Sequence, residues 1–282
     1  MGPPNPPMPP PKPKPEPPEP PAPAPDPGDK DDLVIQSLLK TYMSSLRSRN
    51  FSERLKAAEG IGELGPKAKP ARRALCEAML DPNQRVRTAA ADALKRVDPE
   101  MAELAISIYV NFSVEAIGKA GQLKEDGEPL TPLVLEFAKQ LATGTRGPRD
   151  VGRGAGPPLP TCLVTLANIA RQDEEANRLM IGLITFQNAR YHAFWGPYEP
   201  VHHAAIVAVR DMKNAKRALA PLLVAARTDS ETNRLEAIRS LEAIYDENND
   251  KAIRQVLESM RFDKSEAIRK AVEDFMQRLK EK

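Results

Sequence analysis

Asp81-Pro-Asn-Gln-Arg-Val-Arg-Thr-Ala-Ala-Ala-Asp-Ala-Leu-Lys-Arg-Val-Asp98 is the stretch from which the rest of the chain becomes readable. Val86, Ala90, Ala93, Leu94 and Val97 fall at i, i+4, i+7, i+8 and i+11, one face of a helix. Asp81 is placed to cap that helix and Pro82 suits a first helical position. The pattern recurs. Arg54 opens Arg-Leu-Lys-Ala-Ala-Glu-Gly-Ile, and 33 residues later Arg87 opens Arg-Thr-Ala-Ala-Ala-Asp-Ala-Leu. Near the end, Arg234 opens Arg-Leu-Glu-Ala-Ile-Arg-Ser-Leu and Arg269 follows 35 residues on. Periods of this length with two helices per unit define an α-solenoid, in which each pair buries an apolar face only by stacking on its neighbours.

Working outward, an apolar stripe of Ile35, Leu38, Leu39, Tyr42, Met43 and Leu46 predicts a first helix beginning at Asp31-Asp32. Glu53 to Leu64 and Lys69 to Leu80 predict the next two, parted by Gly65-Pro66, and Met101 to Phe112 predicts another. Val114–Leu123 pairs with Leu130–Leu141, although Gly118 and Gly121 weaken the former. Residues 144–160, rich in Gly and Pro, and residues 188–200 read as insertions in the array.

The motif of Asp, a short turn, Val-Arg, then Ala-Ala and Leu resembles HEAT repeats, particularly the short bacterial HEAT-like (PBS-lyase-type) units. It is clearest at Asp81, Val86-Arg87, Ala90-Ala91 and Leu94, and Asp263, Ile268-Arg269 and Ala271-Val272 keep the same interval. Asp229 and Arg234 stand one residue closer, and the first unit has Asn50 with no Asp at the corresponding place. The resemblance covers roughly residues 33–282 and blurs between about 113 and 200. It implies an all-α, right-handed solenoid of about six or seven helix pairs. It also implies that Asp81, Arg87, Asp263 and Arg269 belong to a hydrogen-bonded ladder along the array.

Composition agrees with an array of small-faced helices. Hydrophobic residues make up 41% of the 282 residues but aromatics only 5%. Residues 3–27 hold 16 of the 29 prolines, which predicts an extended, disordered tail over residues 1–30 ahead of a repeat domain over 31–282. Pro-x-x-Pro recurs there, as any such proline-rich tract makes nearly unavoidable. The net charge is +2; three lysines against six acidic residues give −3 over residues 1–32, leaving +5 on the remainder, far from a nucleic-acid-binding extreme. No apolar run approaches the roughly 18 residues of a membrane span, and no basic-then-apolar start suggests a secretory signal, so a cytoplasmic location is expected. Cys76 and Cys162 sit in apolar helical patterns and read as small buried hydrophobes.

The segment Asn188-Ala-Arg-Tyr-His-Ala-Phe-Trp-Gly-Pro-Tyr-Glu-Pro200 carries the only Trp. Tyr191, Phe194, Trp195 and Tyr198 read either as a recognition surface or as a plug between irregular repeats. Arg146, Arg149 and Arg153 in the preceding Gly/Pro-rich stretch are further binding candidates. His192, His202 and His203 lack the spacing of a metal site, since adjacent helical positions point about 100° apart. There is no His-Glu dipeptide, which sets the chain apart from the HEAT-like hydroxylase of deoxyhypusine, and no Walker loop or Gly-x-Ser-x-Gly. Comparison with HEAT-like alkylpurine DNA glycosylases directs attention to the basic clusters Lys67, Lys69, Arg72, Arg73 and Lys213, Lys216, Arg217. The expectation is a non-catalytic protein- or peptide-binding scaffold without cofactor or metal. Phosphate-backbone binding is the alternative.

Overall fold

The computed structural model describes residues 27–145, 158–187 and 189–280. A leading helix α1 (Pro27–Ser45) is followed by six helix pairs and a closing helix. The pairs are α2 (Phe51–Glu63) with α3 (Arg72–Ala78), α4 (Gln84–Val97) with α5 (Pro99–Tyr109), and α6 (Val114–Gln122) with α7 (Thr131–Ala142). After these come α8 (Pro158–Ile169) with α9 (Glu174–Leu183), a short α10 (Ala189–Trp195), α11 (Glu199–Ala208) with α12 (Leu219–Thr228), α13 (Glu231–Ala243) with α14 (Asp250–Met260), and α15 (Glu266–Arg278). Among the described residues there is no strand, and no helix is long and apolar enough to cross a membrane. The chain is an all-α solenoid.

One layer is formed by the first helix of each unit: α2 packs on α4, α6 on α8, α8 on α11, α11 on α13 and α13 on α15. Their partners line the other layer, with α3 against α7, α5 against α7 and α12 against α14. The one interruption of the first layer falls between α4 and α6, where α5 carries the contact instead. The face read from the sequence of α4 is the face that is buried: Val86, Ala90, Ala93, Leu94 and Val97.

Local chemistry shows why the elements begin where they do. Asn50, Asn83, Ser113, Ser230 and Ser265 each cap the first helix of a unit, their side chains accepting from backbone N–H groups one turn in. The expectation of Asp81 as a cap is thereby corrected: Asn83 holds that position, and Asp81 is engaged elsewhere. The helix expected over Lys69–Leu80 is also shorter. Gly65–Ala71 forms a 3₁₀ segment because Pro66 and Pro70 withhold N–H donors, and the α-helix starts at Arg72. The same lead-in recurs at Lys124–Leu130, so that Gly65 (φ 58°) and Lys124 (φ 51°) each follow a helix-ending Leu in the left-handed region. In residues 188–200, read as an irregular insertion, a seven-residue helix stands instead.

The two glycines of α6 have different roles. A Cβ at Gly118 would meet nothing within 4 Å, whereas at Gly121 it would lie 3.0 Å from Thr165 Oγ1 and 3.2 Å from Thr165 Cα. Gly121 therefore allows α6 and α8 to approach closely enough for Thr165 Oγ1 to donate to the Ile117 carbonyl at 3.0 Å. Gly118→Ala is expected to stabilise the protein by about 0.5–1 kcal/mol through helix propensity. At Gly121 the same change should cost about 1 kcal/mol net, because steric overlap exceeds the propensity gain. Thermal unfolding should place the two variants on opposite sides of the parent.

Candidate functional site

The edge of the solenoid where each first helix begins carries a series of ion pairs that join one unit to the next. Arg54 of α2 sets the pattern. Its Nη1 donates to the carbonyls of Ser48 (2.9 Å) and Arg49 (3.2 Å) in its own turn. Its Nε and Nη2 donate to the carboxylate of Asp81 in the next unit, at 2.6 and 3.0 Å. Burial of Asp81 opposes ionisation, but Arg54 and the Asn83 N–H outweigh it and hold the carboxyl below its ordinary range. Arg234 makes the corresponding bond to Asp263 at 3.0 Å through Nη2. The resemblance implied a ladder of Asp81, Arg87, Asp263 and Arg269 along the array; the two carboxylates are held by Arg54 and Arg234 of the preceding units. Arg87 and Arg269 instead satisfy carbonyls of their own turns, at Asp81 and Pro82 and at Asp263 and Lys264 respectively.

Asp229 is matched by a residue that motif reading missed. His202 Nδ1 lies 2.7 Å from Asp229 Oδ2, at the same 27-residue interval that separates Arg54 from Asp81, and its Nε2 lies 2.8 Å from the Phe186 carbonyl. Both partners are acceptors, so both ring nitrogens serve best as donors, which requires the imidazolium. Burial opposes that charge, but the bonds to Asp229 and Phe186 prevail and raise the pKa above the ordinary histidine value. His203 is also engaged within the chain, 3.2 Å from Asn233 Oδ1.

The series breaks after Arg87. Where a carboxylate is needed just before the cap Ser113, the chain has Asn111 and Phe112. Phe112 adopts φ 50°, a strained conformation for a large side chain, and stacks on Phe137 at 5.8 Å. Arg87 Nη1 holds its two carbonyls as Arg54 does, but Nε and Nη2 have no partner among the described residues. Here α4 and α6 part, and beside the break a cleft of about 480 Å³ lies between α4, with Arg87, Ala91, Asp92 and Lys95, and the end of α5, with Ile106, Tyr109 and then Phe112. Lys95 is paired with Asp92 at 3.0 Å. On the opposite edge the units are drawn together: Arg73 binds Glu77, Glu128 and, 100 residues away, the α9 cap Asp173 at 2.7 Å.

Of the aromatic candidates, Tyr191 is fully buried, packed edge-on against Phe186 (5.4 Å), and cannot present its ring to a partner. Tyr198 lies parallel to His202 at 6.1 Å, and Trp195 is half-buried against the core. Phe194 alone of the four is exposed, at 45%. An aromatic side chain beside a gap between irregular repeats is drawn inward by the area it buries. Arg146, Arg149 and Arg153 lie outside the described residues. Within the basic clusters, Lys67 pairs with Asp32, Arg72 with Asp98, and Lys216 with Asp246. Cys76 and Cys162 are fully buried, and burial raises both thiol pKa values, Cys76 to about 12.

The packing defines an α-helical repeat protein. No protein-family model matches the sequence, and no curated protein matches it. Similar solved structures include the designed armadillo repeat protein YIII(Dq.V1)4CPAF in complex with the peptide (KR)4, at 18% identity over 85% of this chain and 98% of that one, with a TM-score of 0.37. A second designed armadillo repeat protein, YIII(Dq)4CqI, is 16% identical over 85% and 98%, with a TM-score of 0.35. The architecture rests on the helix packing of the chain itself.

Proposed function

We propose that the chain is a HEAT-like repeat scaffold that binds a protein or peptide partner, without catalysis, in the cleft between α4 and the end of α5 in its second unit. The observation that carries this reading is the cleft itself. It joins an apolar floor to a guanidinium whose Nε and Nη2 have no partner among the described residues, and it lies beside the point where the layer of first helices is interrupted. A phosphate-backbone partner is less well supported, because four of the seven lysines and arginines in the two basic clusters, Lys67, Arg72, Arg73 and Lys216, are paired with carboxylates.

Half-buried Ala91 lies within the cleft, so Ala91→Trp should fill it while leaving the ion pairs along the edge intact. A bead-bound library of random seven-residue peptides should retain the labelled full chain and lose it on Ala91→Trp. Equal retention of the folded variant removes the cleft as the binding site.

A further inference from the structure

The cleft is an unfilled position in the chain's own ladder, and that identifies its ligand more closely. We infer that Arg87 takes the carboxylate of an aspartate or glutamate in an extended partner peptide, with an adjacent apolar side chain seated on Tyr109 and Phe112. The inference rests on reading the cleft as a binding site and adds the chemistry of what occupies it.

The template is Arg54. In both arginines Nη1 is committed to two carbonyls of the preceding turn, at 2.9 and 3.2 Å for Arg54 and at 2.7 and 3.0 Å for Arg87. These bonds fix the guanidinium plane before any ligand arrives. The remaining edge of Arg54, Nε with Nη2, is filled by both oxygens of Asp81. The same edge of Arg87 has no partner among the described residues, and the one carboxylate lining the cleft beside it, Asp92, is paired with Lys95 at 3.0 Å. A planar two-donor edge held in advance matches a carboxylate in two parallel bonds and loses little side-chain freedom on binding.

The surroundings select one charge and one apolar group. Asp92 already neutralises Lys95, so Arg87 is the cation left to meet a ligand. A single guanidinium whose Nε and Nη2 make no bond among the described residues, beside the Asp92 carboxylate, suits an isolated acidic side chain and opposes a run of phosphates. The floor of Ile106, Tyr109 and Phe112 provides apolar surface beside it. In the filled rung the residue before Asp81 is Leu80, which is half-buried against the core. The geometry therefore favours a ligand in which an apolar residue neighbours the acidic one.

The test uses three bead-bound pools of heptapeptides with Asp, Asn or Lys fixed at the centre and random flanks, probed with the labelled full chain. The Asp pool should retain the parent about tenfold better than the Asn pool, the factor that charged over neutral hydrogen bonding provides. Arg87→Ala should abolish that preference and leave weaker, charge-indifferent retention. Arg87→Lys should reduce it, because an ammonium has no fork, and it serves if the alanine variant unfolds. Preference for the Asn or Lys pool, sensitive to Ala91→Trp, overturns the carboxylate assignment and leaves the scaffold reading standing. Retention of no pool removes both. Binding of a labelled DNA duplex that is lost on Arg87→Ala assigns the guanidinium to phosphate and also overturns the inference.

Discussion

Raising the pH from 5.5 to 8 should lower the thermal midpoint of the parent protein, and His202→Gln should largely remove that dependence. His202 stands between two acceptors, the Asp229 carboxylate and the Phe186 carbonyl, and a neutral imidazole can donate to only one of them. Its pKa is raised in the folded protein, so its stabilisation is fully present below the unfolded value of about 6.5 and is lost as pH rises through the folded value. Asp229 is shifted down despite its burial, by His202, the Ser230 N–H and Asn233. Its contribution is present above about pH 3.9 and fades as pH falls through the folded value. The pair is therefore strongest between roughly pH 4 and 6.5. Losing two hydrogen bonds of a charged donor, discounted for partial solvent access, makes His202→Gln cost about 1–2 kcal/mol at pH 5.5 and less at pH 8. An unchanged pH dependence in the variant excludes His202 as its source. Nearby Glu199 also favours the imidazolium and acts in the same direction.

The periodic apolar faces were legible because a helix buries whatever recurs on one side of it, and Val86 to Val97 required no knowledge of neighbours. Connections between units were less legible, because Asp81 and Arg87 look like one motif when only local spacing is considered. The geometry joins Arg54 to Asp81, 27 residues apart, because the stacking distance between units brings those side chains together. A signal for His202 was present: counting back the same interval from Asp229 lands on it. Histidine hid that signal by departing from the arginine of the motif. The cleft at Arg87 was detectable only as the absence of an acidic residue before Ser113, which acquires meaning once the rungs are known to run between units. The 3₁₀ lead-ins were obscured for another reason, since Gly-Pro strings end an α-pattern without showing that a tighter helix continues.

Tyr191→Ala should be the most destabilising single change in the aromatic segment, by about 3–5 kcal/mol, while Phe194→Ala should stay within about 0.5 kcal/mol of the parent. Tyr191 is fully buried, with Phe186 edge-on at 5.4 Å and Tyr198 stacked at 6.2 Å; burial raises its hydroxyl pKa well above the ordinary range. Removing the ring leaves a void whose lining loses both dispersion contacts and aromatic edge-to-face geometry. Equal, small effects of the two substitutions in chemical denaturation would show that the segment is held by its ends and not by this ring. The consequence reaches the pH-sensitive pair. Phe186 supplies the carbonyl that His202 needs, and Tyr198 lies parallel to the imidazole at 6.1 Å. Loosening the cluster at Tyr191 should therefore free Phe186 and weaken the second hydrogen bond that favours the imidazolium. Tyr191→Ala is accordingly expected to flatten the pH dependence of unfolding as well as lower its midpoint, whereas a core deletion elsewhere, such as Leu94→Ala, should lower the midpoint and leave the slope with pH unchanged.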